Sequence, residues 1–268
     1  MNRDSAVQFL IEELIKVNRL LIDIPIAYNH KRDLLRSLMN ITSPTELSKE
    51  FYKIQDELLT AELNDKRITH VEEIDTQLGE KILLWKGDIT TLEIDAIVNA
   101  ANSELLGCFI PMHNCIDNAI HSASGMQLRN ECNKMMEKQG YEEPTGQAKI
   151  TKGYNLPAKY VIHTVGPIIK GKVTAFQEEQ LASCYISCLE RTKKIEEIKT
   201  IAFCCISTGV FNFPKERAAE IAVGTVLNYL KRNPNNINKI VFNVFTEEDF
   251  NVYKTIFEKF EKSKRDHR

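Results

Sequence analysis

Cys108, His113 and Cys115 stand within eight residues of one another, in Cys108-Phe109-Ile110-Pro111-Met112-His113-Asn114-Cys115. Two thiolates and an imidazole on a stretch stiffened by Pro111 can converge on one tetrahedral ion, and a sulfur-and-nitrogen donor set favours zinc. The spacing is not that of a zinc finger. Three protein donors with an open fourth position is the arrangement of catalytic rather than structural zinc. Cys132 falls well along the following helix and is assigned to the core. Taken alone, the segment also fits two small buried thiols and a surface histidine.

Polar residues are dense around this loop: Asn99, Asn102, Asp117 and His121 all lie near it or near the strand tip before it. Asp117 opens a helix, where a carboxylate also complements the macrodipole. His121, four residues on, shares its face and reads as a satisfied, partly buried histidine rather than a catalyst. A second candidate is Ile206-Ser207-Thr208-Gly209-Val210-Phe211-Asn212-Phe213-Pro214, between an apolar strand and a helix starting near Lys215. Glycine in such a turn lets backbone approach a ligand, and free N–H groups there suit an anion such as a diphosphate. An ordinary strand-to-helix turn with a hydroxyl cap has the same pattern. Asp88, in Gly87-Asp88-Ile89-Thr90, suits either a turn or acceptance from the exocyclic amine of a base. Neither Gly-x-Gly-x-x-Gly nor Gly-x-x-x-x-Gly-Lys-Ser/Thr occurs, which weighs against a dinucleotide oxidoreductase and an ATPase.

The elements that must position these residues change character along the chain. Residues 1–75 read almost entirely as helix, with apolar residues at helical spacing in Val7, Leu10, Ile11, Leu14, Ile15 and in Phe51, Ile54, Leu58. Ser43-Pro44-Thr45-Glu46 has the form of a helix start. From Lys81, short β-branched runs alternate with helical stretches. Strands are expected at 82–85, 96–99, 148–151, 160–165, 200–206 and 239–245, and helices at 115–139, 175–194, 215–232 and 247–262. Such alternation predicts a layered α/β domain with a mostly parallel sheet, helices on both faces and ligands outside the carboxyl ends of the strands. The boundary falls near residue 76, giving a helical extension over 1–75 and an α/β domain over 76–268, without internal repeats.

Composition removes other classes. With 35 Lys+Arg against 37 Asp+Glu the formal net charge is -2, so no basic footprint for nucleic acid is present. The basic stretch from Lys262 is a fraying end by this reading. No apolar run approaches the ~20 residues that cross a bilayer, and the first ten residues carry charges where a signal peptide is apolar. Seven cysteines, odd in number and irregular in spacing, are expected to be reduced, buried or metal-bound in a cytoplasmic protein.

Taken in order, Gly87-Asp88-Ile89-Thr90, Val98-Asn99-Ala100-Ala101-Asn102-Ser103, Pro144-Thr145-Gly146-Gln147-Ala148, Ile162-His163-Thr164-Val165-Gly166-Pro167 and Ser207-Thr208-Gly209-Val210-Phe211 resemble the macrodomain family, whose members bind ADP-ribose. The resemblance covers roughly residues 80 to 262. It implies a three-layer α/β/α domain with a mixed, mostly parallel sheet, here with an all-helical N-terminal extension. Within the family the chain looks like the MacroD-type hydrolases, through Asp117-x-x-Ile120-His121. Where those enzymes have a glycine-rich loop, this chain has Cys108 to Cys115, which is similar to the zinc-dependent bacterial macrodomains. That departure puts the role of Asp117 in question.

The resemblance implies that Asp88 and Ile89 meet the adenine amine edge and Phe245 stacks on the ring. It further implies that Ser207, Thr208, Gly209, Val210 and Phe211 wrap the diphosphate. Asn102 would hold the distal ribose, with Cys115, Ile116 and Asp117 beside it. Cys108, His113 and Cys115 would ligate one zinc with an open position, and Asn102 and Asp117 would be catalytic. The implied activity is hydrolysis of the ester joining ADP-ribose to a protein Asp or Glu. A lipoyl-carrier protein modified by a sirtuin-like transferase is the implied substrate. A non-catalytic ADP-ribose reader and a hydrolase of small O-acyl-ADP-ribose esters are the alternatives. For the extension, a stabilising cap is favoured over recognition of the protein substrate.

Overall fold

A computed structural model describes residues 2–233 and 236–266; the last two residues of the basic tail lie outside these. The chain opens with α1 (Arg3–Asn18), α2 (Tyr28–Ile41) and α3 (Lys49–Asn64). Their apolar faces close on one another through Val7, Leu10, Ile11 and Leu14 of α1, Leu35 and Leu38 of α2 and Phe51, Ile54 and Leu58 of α3. The helix expected at Ser43-Pro44 begins instead at Lys49. Ser48 caps it, its hydroxyl accepting the Phe51 N–H at 3.0 Å. Thr45 is held out of any helix by Asn130, which accepts from its N–H at 3.0 Å and donates to its C=O at 2.7 Å.

Two short strands, β1 (Thr69–His70) and β4 (Leu92–Glu93), pair with each other. The main sheet contains β2 (Gln77–Leu78), β3 (Ile82–Lys86), β5 (Ala96–Ala101), β6 (Ala148–Lys152), β7 (Tyr160–Val165), β8 (Thr200–Phe203) and β9 (Lys239–Val244). Its order is β2-β3-β9-β8-β5-β7-β6. The outer pairs β2–β3 and β6–β7 are antiparallel and the rest parallel, so the carboxyl ends of β3, β9, β8, β5 and β7 share one edge. The helices α4 (Ile116–Ser124) and α5 (Met126–Gln139) pack against β5 and β6. The helices α6 (Ala175–Thr192), α7 (Lys215–Arg232) and α8 (Glu247–Asp266) pack on one another in sequence, with α6 also on β6 and β7 and α8 on β2 and β3. The central strands are buried on both faces, Ile97, Val98, Ile162, Ile201 and Val241 being fully enclosed, as helices on both sides require.

Two expected elements are corrected. The single helix over 115–139 is two helices, broken at Gly125, whose φ is 98°. A Cβ at Gly125 would stand 2.5 Å from Gln55 Nε2, because α3 drives that buried amide into the break and Gln55 Oε1 accepts the Met126 N–H at 2.9 Å. The strand over 200–206 ends at Phe203. Cys204 and Cys205 leave the sheet edge ahead of Ser207, which turns the chain with φ 66°.

Candidate active site

Outside the carboxyl edge of the parallel strands lies a cavity of about 710 Å³, within the size range of small-molecule sites. Its walls bring together Asn102, Cys108, His113, Cys115, Ile116, Asp117, the whole of Ser207 to Phe211, and Phe245. Asp88 and Ile89 are not among the lining residues. Asp88 caps a short turn, its Oδ1 accepting from Thr90 N at 3.0 Å and Thr90 Oγ1 at 2.7 Å. It faces a neighbouring cleft, where Lys66 approaches its other oxygen at 3.8 Å.

The Ser207–Phe211 turn is shaped by its own backbone. Phe213 N–H donates to Ser207 C=O at 2.9 Å and Asn212 N–H to Gly209 C=O at 3.0 Å. Among the described residues no acceptor takes the N–H groups of Thr208, Gly209, Val210 or Phe211, which leaves them for an anion. Gly209 does not have the positive φ that the sequence pattern invites; Ser207 and Asn212 do. A Cβ at Gly209 would meet nothing within 4 Å, so packing within the chain does not require glycine there, and the absent side chain leaves the backbone open to the cavity. Ser207 Oγ is buried without a hydrogen-bond partner. It fits because Gly166 lacks a Cβ, which would lie 2.0 Å away. Phe245, 71% exposed just past β9, lines the cavity.

The other wall is the Cys108–Cys115 loop. Cys108 Sγ lies 3.4 Å from His113 Nδ1, and one donor atom from each of Cys108, His113 and Cys115 falls within 4.8 Å of the others. Ligands around tetrahedral zinc, at about 2.3 Å for sulfur and 2.1 Å for nitrogen, stand roughly 3.5–3.8 Å apart, so this triangle needs only to tighten. Burial pushes the Cys115 thiol up to about 12, opposed by the Asn118 N–H, which donates to its sulfur at 3.4 Å. Charge on Cys108 and Asp117 pushes it further up, and a divalent cation between the sulfurs would oppose that rise.

Asp117, in the first turn of α4, is 6% exposed. Burial pushes its carboxyl up to about 6, against a hydrogen bond from Asn99 and the charge of Arg129. Asn99 Nδ2 donates to Asp117 Oδ1 at 2.8 Å, and among the described residues no hydrogen bond reaches Oδ2. Asn102 spends its amide on its own loop: Oδ1 accepts from Leu105 N at 3.0 Å and Glu104 N at 3.1 Å, and Nδ2 donates to Gly107 C=O at 3.1 Å. One amide hydrogen of Asn102 is left over for a ligand.

His121 is buried with neither ring nitrogen hydrogen-bonded, its Nε2 3.5 Å from Asp117 Oδ1. That corrects the expectation of a satisfied histidine. Burial, with the charges of His163 and Arg129, holds it neutral. Cys132 is core, as expected, its thiol beside His163. His121, Cys132 and His163 also lie close together, but Asn99 donates to His163 Nδ1 at 3.2 Å and Nε2 meets Thr151 Oγ1 at 2.9 Å. Both nitrogens of His163 are thereby committed, and no lone pair is left for a metal.

Asn99 is the site residue that the motif reading left without a role. Its place directly opposite His163 gives it away only once β5 and β7 are paired.

The Macro domain family model matches residues 98–222. A protein-ADP-ribose hydrolase of Treponema medium is 50% identical over 250 residues, which span 91% of this chain and 95% of that protein. This chain belongs to the macrodomain family. A protein-ADP-ribose hydrolase of Staphylococcus aureus (strain MRSA252) is 46% identical over 257 residues, 94% of this chain and 95% of that one. Matches of that length exceed the α/β part, so the likeness takes in the helical extension as well. Among solved macrodomains, the crystal structure of one from Trypanosoma brucei in complex with ADP-ribose aligns with a TM-score of 0.63 at 29% identity, covering 82% of this chain and 94% of that chain. The three-layer macrodomain fold is therefore established, and among the described residues no helix is long and apolar enough to cross a membrane.

Proposed function

We propose that this macrodomain hydrolyses the ester joining ADP-ribose to an aspartate or glutamate side chain of a protein, with a zinc ion held by Cys108, His113 and Cys115. The reading rests on one observation: a single cavity is lined by the open N–H groups of 208–211, the thiol–imidazole triangle and Asp117. Relatives named protein-ADP-ribose hydrolases, similar over nearly the whole chain, support the reaction class.

In this reading the Ser207–Phe211 turn binds the diphosphate through backbone N–H groups and the Ser207 hydroxyl. Phe245 stacks on the adenine, and the spare amide hydrogen of Asn102 holds a distal-ribose oxygen. Asp117 accepts the proton of the attacking water on Oδ2, while Asn99 fixes its other oxygen. Water adds across the ester, releasing ADP-ribose and a free protein carboxyl group. Bound zinc supplies Lewis-acid polarisation at the distal ribose.

Release of free ADP-ribose from aspartate-modified and, in parallel, serine-modified protein tests this, with wild type, a chelator-treated sample and Cys115→Ala. A lipoyl-carrier protein is the carrier to use first. Release from the aspartate ester is expected to fall at least about 100-fold in both altered samples, with ADP-ribose binding retained. Binding by wild type without release from either substrate overturns the hydrolase reading in favour of a reader.

A further inference from the structure

The Cys108–Cys115 loop does not hold its own shape. Ile110-Pro111-Met112-His113 forms a turn closed by His113 N–H on Ile110 C=O at 3.2 Å, with Met112 at φ 55° in its third position. A positive φ there is the type II pattern, in which glycine is usual and a larger residue is disfavoured in a free chain. The next residue is the imidazole of the metal triangle. Whatever stabilises Met112 therefore sets where His113 points.

The stabilising groups come from outside the α/β domain. Asn40, at the end of α2 and 1% exposed, accepts the Met112 N–H on Oδ1 at 3.0 Å. Its Nδ2 donates to Ser122 Oγ at 3.1 Å, and Ser122 donates to Asn118 Oδ1 at 3.2 Å. Arg36, one turn earlier on α2, donates to the same Asn118 oxygen at 2.9 Å. Asn118 closes the circuit, with Nδ2 on Ile110 C=O at 3.1 Å and its N–H on Cys115 Sγ. Met112 is thus tied to α2 directly, and Ile110 and one sulfur are tied to it through Asn118. Arg129, which donates to the C=O groups of Met39 and Thr42 as well as that of Leu106, lies 4.6 Å below the Phe109 ring and fastens the loop's other side.

We infer that α2 is a working part of the metal site: Asn40 is a positioning residue that holds the Met112 turn, and with it His113, in ligating geometry, with Arg36 assisting through Asn118. This rests on the metal reading above and gives the extension a role beyond that of a stabilising cap.

The test is zinc(II) affinity of the full chain, stripped and then titrated in competition with a chromogenic chelator, alongside the melting temperature of the stripped protein. Asn40→Ala is expected to weaken zinc about 10- to 100-fold, the usual effect of removing a group that orients a ligand. Asn40→Asp, which keeps an acceptor opposite the Met112 N–H, is expected to bind zinc more tightly than Asn40→Ala. Ser48→Ala removes the cap of α3 without touching the loop; it is expected to lower the melting temperature and leave zinc affinity at the wild-type value.

Equal affinities in wild type and Asn40→Ala, or an equal loss in Ser48→Ala, overturn the inference. If Asn40→Ala does not fold, Arg36→Met takes its place, and a wild-type affinity there overturns it equally. Wild type that binds zinc no better than Cys115→Ser defeats the metal reading itself, a result distinct from the other two.

Discussion

The two walls of the cavity are built on opposite plans. The Ser207–Phe211 turn closes largely on itself through Phe213 and Asn212, and takes from its surroundings the gap at Gly166 and one hydrogen bond, from Ile169 N–H to Phe211 C=O at 2.8 Å. The Cys108–Cys115 loop takes its shape from α2, α4 and α5 through Asn40, Asn118 and Arg129. A wall that offers a ligand only its backbone N–H groups needs one conformation and little else. A wall that gathers two sulfurs and a nitrogen must hold three side chains at once, and it draws support from more of the protein. Damage to the first is therefore expected to stay local, and damage to the second to arrive from a distance.

Three measurements press on that contrast. Gly166→Ala places a methyl 2.0 Å from Ser207 Oγ, and overpacking of this kind costs about 1–3 kcal/mol. ADP-ribose affinity, read by calorimetry, should fall by about the same free energy while zinc affinity stays at the wild-type value. Equal damage to both would mean that the walls are coupled.

Beneath both loops runs the Asn99–His163–Thr151 line, and burial holds the His163 imidazole down to about 3. Because the folded value lies below the ordinary histidine value, the unfolded chain takes up the proton first as pH falls. The stability associated with this residue is full above about pH 6.5 and declines from there toward pH 3. From pH 7 to pH 5 wild type should lose about 2 kcal/mol more stability than His163→Gln, at 1.36 kcal/mol per unit, measured by denaturant melts at each pH. Parallel losses in the two proteins would remove His163 from the account.

Phe245→Ala should be the mildest, at about 1–2 kcal/mol of ADP-ribose affinity, the worth of one base on one aromatic face. An unchanged affinity would move the adenine elsewhere, with the Asp88 cleft as the next place to look.

The α/β alternation, the placing of the Ser207–Phe211 turn at the strand ends and the closeness of Cys108, His113 and Cys115 are all legible in the sequence because each is local. Strand and helix periodicities repeat within a few residues, and the donor residues stand side by side. What was illegible depends on partners far along the chain. The break at Gly125 is signalled in the sequence only by the glycine itself, which helices also tolerate; the Gln55 amide that occupies the break comes from seventy residues earlier. Asn40 sits among apolar helical positions and looks like any polar residue at the end of a helix until Met112 is brought against it. The sequence pattern runs on past Phe203 because Cys204, Cys205 and Ile206 are as apolar as the strand itself, and periodicity does not distinguish a sheet edge from a cavity wall. His121 differs from its expectation for a related reason: sequence spacing gives its face but not whether a partner waits there.

Gln55 and Gly125 form a lock and its keyway, and the pair has a consequence for how such proteins can be recombined. A helical layer grafted from another chain without an amide at the position of Gln55 leaves the Met126 N–H at the break without its acceptor. A side chain at the position of Gly125 is strained at φ 98° and must push the Gln55 amide aside. The two halves therefore exchange most easily when this pair travels together.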